Sequence, residues 1–237
     1  MNPEHQNPEH QNPDLQPRPA RGVFLLLGAS GSGKGTVAKQ LLALGIVKHH
    51  ISMGDLLRGM IERINTGLSE CNNLERQLPG LIPKGFSSKV SYFEHCVQSG
   101  LLIPDSWTEF IIEHELNRKP KLQTEPWVMD GYPRRIEAAK HLLESLSKLE
   151  IPLLAVIHLF ISLPQMQKRL LARGRSDDTL QAIENRFAFY QEQVLPTLGF
   201  LGEKIKLLEI DTQTFETSNA QEVVFERVLR ALERGNT

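Results

Sequence analysis

Short apolar runs alternate with longer amphipathic segments along the chain from Gly22 onward. The apolar runs predict strands at 23–27, 50–52, 127–129, 153–161 and 204–210. A helical spacing of apolar positions predicts helices near 34–45, 54–65, 105–118, 135–149, 164–173, 178–196 and 219–233. This alternation is typical of parallel strands joined by crossover helices. We therefore expect an α/β fold with an open parallel sheet of about five strands and helices on both faces.

The first 21 residues have a different character from the rest of the chain. They repeat Asn-Pro-Glu-His-Gln and then become rich in proline, with almost nothing apolar to bury. Such a composition predicts a disordered tail. Residues 22–237 are then predicted to form one domain, and ligands of such sheets bind beyond the carboxyl ends of the strands.

Charge and cysteine content narrow the classes of function. The 237 residues include 27 basic and 28 acidic side chains, so no overall charge attracts nucleic acid or anionic lipid. Any anion site must therefore be a local cluster. Cys71 and Cys96 cannot build a disulfide framework or a four-cysteine zinc site, which favours the cytoplasm. The longest apolar stretch, 151–164, is shorter than the roughly 18 residues that a membrane span needs, so no membrane partner is expected.

A glycine-rich loop follows the first predicted strand and precedes a predicted helix. It reads Gly-Ala-Ser-Gly-Ser-Gly-Lys-Gly-Thr over residues 28–36. Glycines let successive backbone N–H groups converge on phosphate oxygens, and the helix N-terminus adds partial positive charge. Lys34 is predicted to bridge the β and γ phosphates, and Thr36 to meet magnesium or a phosphate oxygen. Gly35 departs from the general pattern, which has serine or threonine after the lysine.

Four motifs in one order resemble those of adenylate kinases. They are the loop with its Lys-Gly-Thr ending and the segments at 50–58, 130–134 and 173–178. The resemblance covers about residues 22–237 and implies a P-loop kinase fold. It also implies reversible transfer of the γ-phosphoryl group of ATP to AMP, with Mg²⁺ as cofactor.

The resemblance also implies roles for individual residues. Phosphoryl transfer requires charge neutralisation more than a covalent nucleophile, and arginines supply it bidentately. The implied catalytic residues are Lys34, Arg134, Arg173, Arg175 and Arg186. ATP is expected at Gly31, Ser32, Gly33, Lys34, Gly35, Thr36 and Arg169. The monophosphate is expected at Met53, Arg58, Gly131, Arg134, Ala138, Arg175 and Arg186. Asp55 and Asp130 are expected to hold magnesium through water, and a helix-capping role is the alternative for Asp55.

The lid and the monophosphate segment differ between members of the family. Residues 173–178 form a short lid, so no lid domain and no structural zinc are expected. The monophosphate segment, about 53–105, is some twenty residues longer than usual, with an insertion at about 62–84. Its Pro and Gly content predicts an irregular loop. It is either an inconsequential surface excursion or a wall of the monophosphate pocket.

Two residues bear on the choice of substrate. Adenylate-selective members have threonine where this chain has Met53 and glutamine where it has Ala138. Loss of both polar groups predicts weaker selection of the base, although Glu137 could supply a polar contact. Two alternatives stay open: a UMP/CMP-type pyrimidine monophosphate kinase, and a nucleotide-binding regulatory protein without turnover. The preferred interpretation is a monomeric adenylate kinase-like enzyme.

Overall fold

A computed structural model describes residues 19–65, 77–213 and 219–234. The predicted tail lies outside these ranges except for residues 19–21, as does part of the insertion. Five strands form the sheet: β1 (Gly22–Leu27), β2 (His49–Ser52), β3 (Pro126–Asp130), β4 (Leu153–Phe160) and β5 (Leu207–Asp211). All pairs are parallel in the order β2-β3-β1-β4-β5. The predicted α/β architecture is therefore confirmed.

The described helices occupy both faces of the sheet and its carboxyl-terminal edge. They are α1 (Lys34–Ala43), α2 (Met53–Asn65), α3 (Lys89–Ser99), α4 (Asp105–Arg118), α5 (Lys121–Thr124), α6 (Ile136–Lys148), α7 (Leu163–Arg173), α8 (Leu180–Phe189), α9 (Leu195–Gly202) and α10 (Ala220–Glu233). None of these described helices has both the length and the apolar character needed to span a membrane.

Two buried clusters fill the two faces of the sheet. Alternate residues of β1 point to opposite sides, so Leu25 belongs to one cluster and Leu26 to the other. Both are completely buried. This explains why β1 is apolar at every position, as expected for a strand covered on both faces.

A third cluster supports the segment that follows α2. Phe93 and Cys96 of α3 pack against Met60 of α2 and Trp107 of α4. Helix α3 was not predicted from the pattern of apolar positions, although its ends carry ordinary capping signals. Ser88 forms a capping box with Ser91, and Gly100 ends the helix in the left-handed conformation.

Part of the insertion attaches to this third cluster. Residues 78–84 are irregular, as their proline and glycine content predicted. The Pro79 carbonyl accepts a hydrogen bond from the Trp107 indole at 2.7 Å, and Leu78 is buried. The insertion residues 66–76 lie outside the described ranges, so the two interpretations of the insertion stay predictions for them.

The predicted helix at 178–196 differs from the observed one. It starts at Leu180, contains a π-helical turn at Tyr190–Val194 and continues as α9 to Gly202. The Tyr190 hydroxyl lies 2.8 Å from Nε2 of His158 on β4, which anchors the turn to the sheet. Because the helix uses the residues after 196, β5 begins at Leu207 and not at the predicted Lys204.

The order of strands reverses at β1, between β3 and β4. Chains leaving neighbouring strands diverge at such a point and open a crevice at the carboxyl edge. Gly28 begins the loop there with φ +145°, and a Cβ at this position would lie 2.1 Å from the Leu159 carbonyl oxygen. The first glycine of the loop is therefore required by packing against β4.

Substitution Gly28→Ala should destabilise the protein. The left-handed backbone and the overlap with Leu159 predict a loss of about 3 kcal/mol or more of unfolding free energy. Gly35→Ala is the matched control, because Gly35 has open space around a Cβ and an ordinary φ. The measurement is chemical denaturation of both variants. An equal effect of the two substitutions would contradict this explanation.

Candidate active site

The loop at 28–36 wraps over the carboxyl end of β1 and leads into α1. Gly33 precedes the helix with φ +97°, and the first helical hydrogen bond runs from the Val37 N–H to the Gly33 carbonyl at 3.0 Å. The Lys34 ammonium donates to the carbonyls of Gly28 at 3.0 Å and Ala29 at 2.8 Å. Lys34 therefore folds back along the loop, beside the N-terminus of α1.

The environment of Lys34 disfavours its charge. Burial lowers the pKa of Lys34 to about 8, and Arg134 and Arg173 act in the same direction. Asp130 opposes them by attraction. A bound polyphosphate would add negative charge beside the ammonium and favour its protonated form.

Asp130 occupies the last position of β3 and is buried. Its Oδ2 lies 2.6 Å from Nε2 of His50, and the Ser52 hydroxyl donates to Oδ1 at 3.2 Å. Burial alone would raise the pKa of Asp130, but His50, Lys34 and Ser52 together hold it below its usual value. Asp130 is thus an ionised carboxylate on the floor of the site. His50 is a site residue for which the sequence predicted no role of its own.

Asp55 and Arg58 lie on the first turns of α2. The Arg58 guanidinium donates to Asp55 Oδ1, so the two residues form an ion pair at the rim of the site. The Asp55 N–H donates to the Ser52 hydroxyl at 3.4 Å, so the Ser52 side chain caps the N-terminus of α2. The capping alternative for the Asp55 side chain is therefore not supported by its contacts.

Arg134 lies in the turn after β3, between the strand and α6. Its Nε donates to the Gly131 carbonyl at 2.8 Å, which leaves both terminal nitrogens of the guanidinium for other partners. Burial lowers the pKa of Arg134, and the neighbouring Arg186 and Arg58 add to this effect. Three arginines predicted to bind phosphate therefore lie close enough to influence one another.

The short lid begins where α7 ends. Arg173 pairs with both carboxylate oxygens of Asp178 at 2.9 and 2.6 Å, and Arg186 of α8 pairs with Asp177 and Asp178. These two arginines hold the pKa of Asp178 below its usual value, although burial opposes them. The two aspartates therefore orient Arg173 and Arg186.

Arg169 lies one turn before Arg173 on α7. Its guanidinium donates to the Gly31 carbonyl at 3.2 Å and to the Thr212 carbonyl at 2.6 Å. It thus links the phosphate loop to the segment that follows β5. Ala220 and Gln221 at the start of α10 border the same end of the cavity.

The opposite end of the cavity is formed by Met53, Tyr132 and Ala138, all of them buried. The Tyr132 hydroxyl donates to the Ala138 carbonyl at 3.2 Å. Asp105 and Thr108 of α4 border this end as well, and Arg135 donates to Asp105 at 3.1 Å. These three residues were missed by the sequence analysis, because nothing before the fold was known linked α4 to the turn after β3.

One cavity of about 880 Å³ connects all these groups. Every residue that the sequence analysis assigned to catalysis, nucleotide binding or magnesium borders it. The described insertion residues 77–84 do not border it. A parallel sheet with a phosphate-binding loop at its switch point and a ring of arginines around the cavity defines a P-loop kinase fold.

Comparison with known proteins agrees with this fold. The family model described as adenylate kinase matches residues 86–206. An adenylate kinase of Mycolicibacterium vanbaalenii is 33% identical over 89% of this chain and 98% of its own length. Adenylate kinase 1 of a Synechocystis species is 35% identical over 81% of this chain and 89% of its own. An adenylate kinase of Mycobacterium tuberculosis is 32% identical over 88% and 97%. The chain belongs to the adenylate kinase family.

The lowered pKa of Lys34 makes polyphosphate binding pH-dependent. With a pKa of about 8, roughly three quarters of Lys34 is neutral in the free protein at pH 8.5. Binding of ATP should then take up about 0.7 proton at pH 8.5 and about 0.1 at pH 7, and affinity should fall as pH rises above 8. Calorimetry in buffers of different ionisation enthalpy measures the uptake.

Lys34→Met should abolish this uptake, whereas Lys121→Met, at an exposed lysine of α5, should retain it. Proton uptake that persists in Lys34→Met would assign the titration to another group.

Proposed function

We propose that the protein transfers the γ-phosphoryl group of ATP reversibly to AMP, forming two molecules of ADP. One observation carries this proposal: the glycine-rich loop with Lys34, Arg58, Arg134, Asp130 and the lid arginines all border one cavity. Membership of the adenylate kinase family supports the same reaction.

The proposed mechanism is an in-line displacement. An oxygen of the AMP phosphate attacks the γ-phosphorus of ATP while the bond to the β-phosphate oxygen breaks. The loop N–H groups and Lys34 hold the ATP phosphates, and Arg58 and Arg134 hold the acceptor phosphate. Both anions are thereby fixed in line, which removes much of the entropic barrier of a bimolecular step.

Charge on the transferring group requires donors on its equatorial oxygens. Arg173, Arg175 and Arg186 border the cavity from the lid side. Arg173 and Arg186 are already oriented by Asp177 and Asp178, so little reorganisation is needed when phosphate arrives. Closure of these residues over bound substrates would also exclude water, which would otherwise hydrolyse ATP.

Mg²⁺ fits the donors present at this site. No group of three His, Cys, Asp or Glu side chains in the described ranges could hold a metal ion directly. Mg²⁺ commonly keeps several waters and binds through one or two carboxylates and substrate phosphates. Asp130 and Asp55 would hold it through water, and it would neutralise charge on the β and γ phosphates. The carboxylate of Asp130 is ionised and oriented for this purpose by His50 and Ser52.

We further propose that the ATP base lies at the Arg169 end and the AMP base at the Met53 and Ala138 end. Arg169 borders the cavity at one end, and Met53 and Ala138 border it at the other. None of these three side chains is predicted to bind phosphate, so they are available to contact the bases. We also propose a monomeric cytoplasmic enzyme. The site is complete within one chain, and Cys96 is a free, buried thiol that suits a reducing compartment.

A coupled assay that detects ADP tests the reaction. The protein should convert ATP and AMP to ADP, and Lys34→Met should lower kcat by at least about 10² because a charge on the transferring phosphates is lost. Lys121→Met is the control and should keep full activity. ATP binding without phosphorylation of any monophosphate would favour the non-catalytic alternative and contradict the proposed enzymatic activity.

Methionine at position 53 and alanine at position 138 predict weaker selection of the base than threonine and glutamine at these positions would give. AMP should remain the best acceptor, but GMP, CMP and UMP should follow within about 10² in kcat/KM, not 10⁴. Parallel assays with the four monophosphates measure this. A preference for AMP of 10⁴ or more would contradict the effect assigned to Met53 and Ala138.

A further inference from the structure

At the acceptor end of the cavity, Met53 and Ala138 replace the threonine and glutamine of adenylate-selective members. Helix α4 still contributes polar side chains there. Met53 and Ala138 offer only methyl and thioether surface, and the Tyr132 hydroxyl is already bonded to the Ala138 carbonyl. Arg58 and Arg134 lie on the phosphate side. Asp105 and Thr108 of α4 also border the cavity, and both carry polar side chains.

The packing of α4 directs these two residues toward the base side of the cavity. Asp105, Thr108 and Ile112 follow one another at helical spacing and so share a face. Ile112 is completely buried in the same cluster as Met53, Tyr132 and Ala138. Burial raises the pKa of Tyr132, and the negative charges of Glu109 and Asp105 add to this effect.

Both side chains present hydrogen-bond acceptors. The Thr108 hydroxyl donates its hydrogen to the Asp105 carbonyl at 2.9 Å, so its lone pairs remain for a ligand. Arg135 donates to Oδ2 of Asp105 at 3.1 Å, and Oδ1 has no other partner within the described ranges. Arg135 is itself fixed, since its guanidinium lies 5.4 Å from the centre of the Phe189 ring. The carboxylate is therefore held in place beside Thr108.

We infer that Asp105 and Thr108 select acceptor nucleotides whose base carries an exocyclic amino group. This inference rests on the proposed function and adds the feature by which the acceptor base is recognised. An amino group donates to the Thr108 oxygen or to Oδ1 of Asp105. A carbonyl oxygen at the same place would face the Asp105 carboxylate, which can only accept, and Thr108 could donate to it only by giving up its bond to the Asp105 carbonyl, which costs binding energy. Adenine and cytosine meet this requirement, whereas hypoxanthine and uracil present an oxygen there.

AMP and IMP form the sharpest test, because they differ at this one substituent and at the adjoining ring proton. We expect the wild-type protein to favour AMP over IMP about tenfold or more in kcat/KM, and CMP over UMP in the same direction. Thr108→Val keeps the shape of the side chain and removes the acceptor. It should lower the ratio of kcat/KM for AMP to kcat/KM for IMP about fivefold, mainly through a higher KM for AMP.

Asp105→Asn should increase activity toward IMP, and a folding defect could not produce such an increase. The amide can donate to the oxygen of IMP, so kcat/KM for IMP should rise in absolute terms. Thr124→Val is the matched control, because the Thr124 hydroxyl also donates to the carbonyl three residues earlier but lies on exposed α5. It should leave the ratio unchanged.

Dissociation constants of AMP and IMP, measured by calorimetry for the same proteins, separate this inference from the proposed function. A wild-type protein that binds AMP more tightly than IMP, with the difference reduced by Thr108→Val, supports the inference even if turnover fails. Phosphorylation of AMP with a ratio of AMP to IMP that neither variant changes would overturn the inference and leave the proposed function intact.

Discussion

Lysine and arginine side chains lie close together in a partly buried cavity, where their positive charges repel one another in the absence of phosphate. The rest of the site depends on how the protein offsets this repulsion. Lys34, Arg134 and Arg173 each have a substitute acceptor from the protein. Lys34 uses loop carbonyls, Arg134 uses the Gly131 carbonyl, and Arg173 uses Asp178. The backbone carbonyls that bind Lys34 and Arg134 carry no net charge, and surplus N–H donors remain on the ammonium and the guanidinium. A phosphate can therefore replace or join them without an extensive rearrangement.

This constraint explains where the cations lie in the fold. Backbone carbonyls that are free of sheet bonding occur where strands end, and the carboxyl ends of β1 and β3 supply those of Gly28 and Gly131. Asp130 ends β3 and balances Lys34 across the crevice. The carboxyl edge of a parallel sheet thus provides both the acceptors and the helix N-terminus that anion binding needs. The lid contributes the remaining arginines together with their own aspartates.

The sequence predicted the parts of this arrangement that depend on local chemistry. Apolar runs such as 23–27 identify a strand covered on both faces, and the order of strand, glycine-rich loop and helix identifies the phosphate site. Contacts between distant segments could not be derived in the same way. The pairing of Asp105 with Arg135 joins residues thirty positions apart, and the π-helical turn depends on a bond from Tyr190 to His158 of β4. Helix α3 could have been found from Ser88 and Gly100, but its polar surface gave a weak periodic pattern.

Helix α8 connects the lid to the segment around the acceptor. A Cβ on Gly100 would lie 2.6 Å from the Ala182 carbonyl oxygen, so the two segments touch through a glycine that leaves no space. Asn185 donates to the Ser99 carbonyl at 3.1 Å, and Arg186 donates to the Val97 carbonyl at 3.3 Å while it also pairs with Asp177. One arginine therefore contacts both the lid and the end of α3. Because the same guanidinium is proposed to bind the transferring phosphate, movement of either segment would change its position in the site, and the acceptor and the lid are mechanically linked through Arg186.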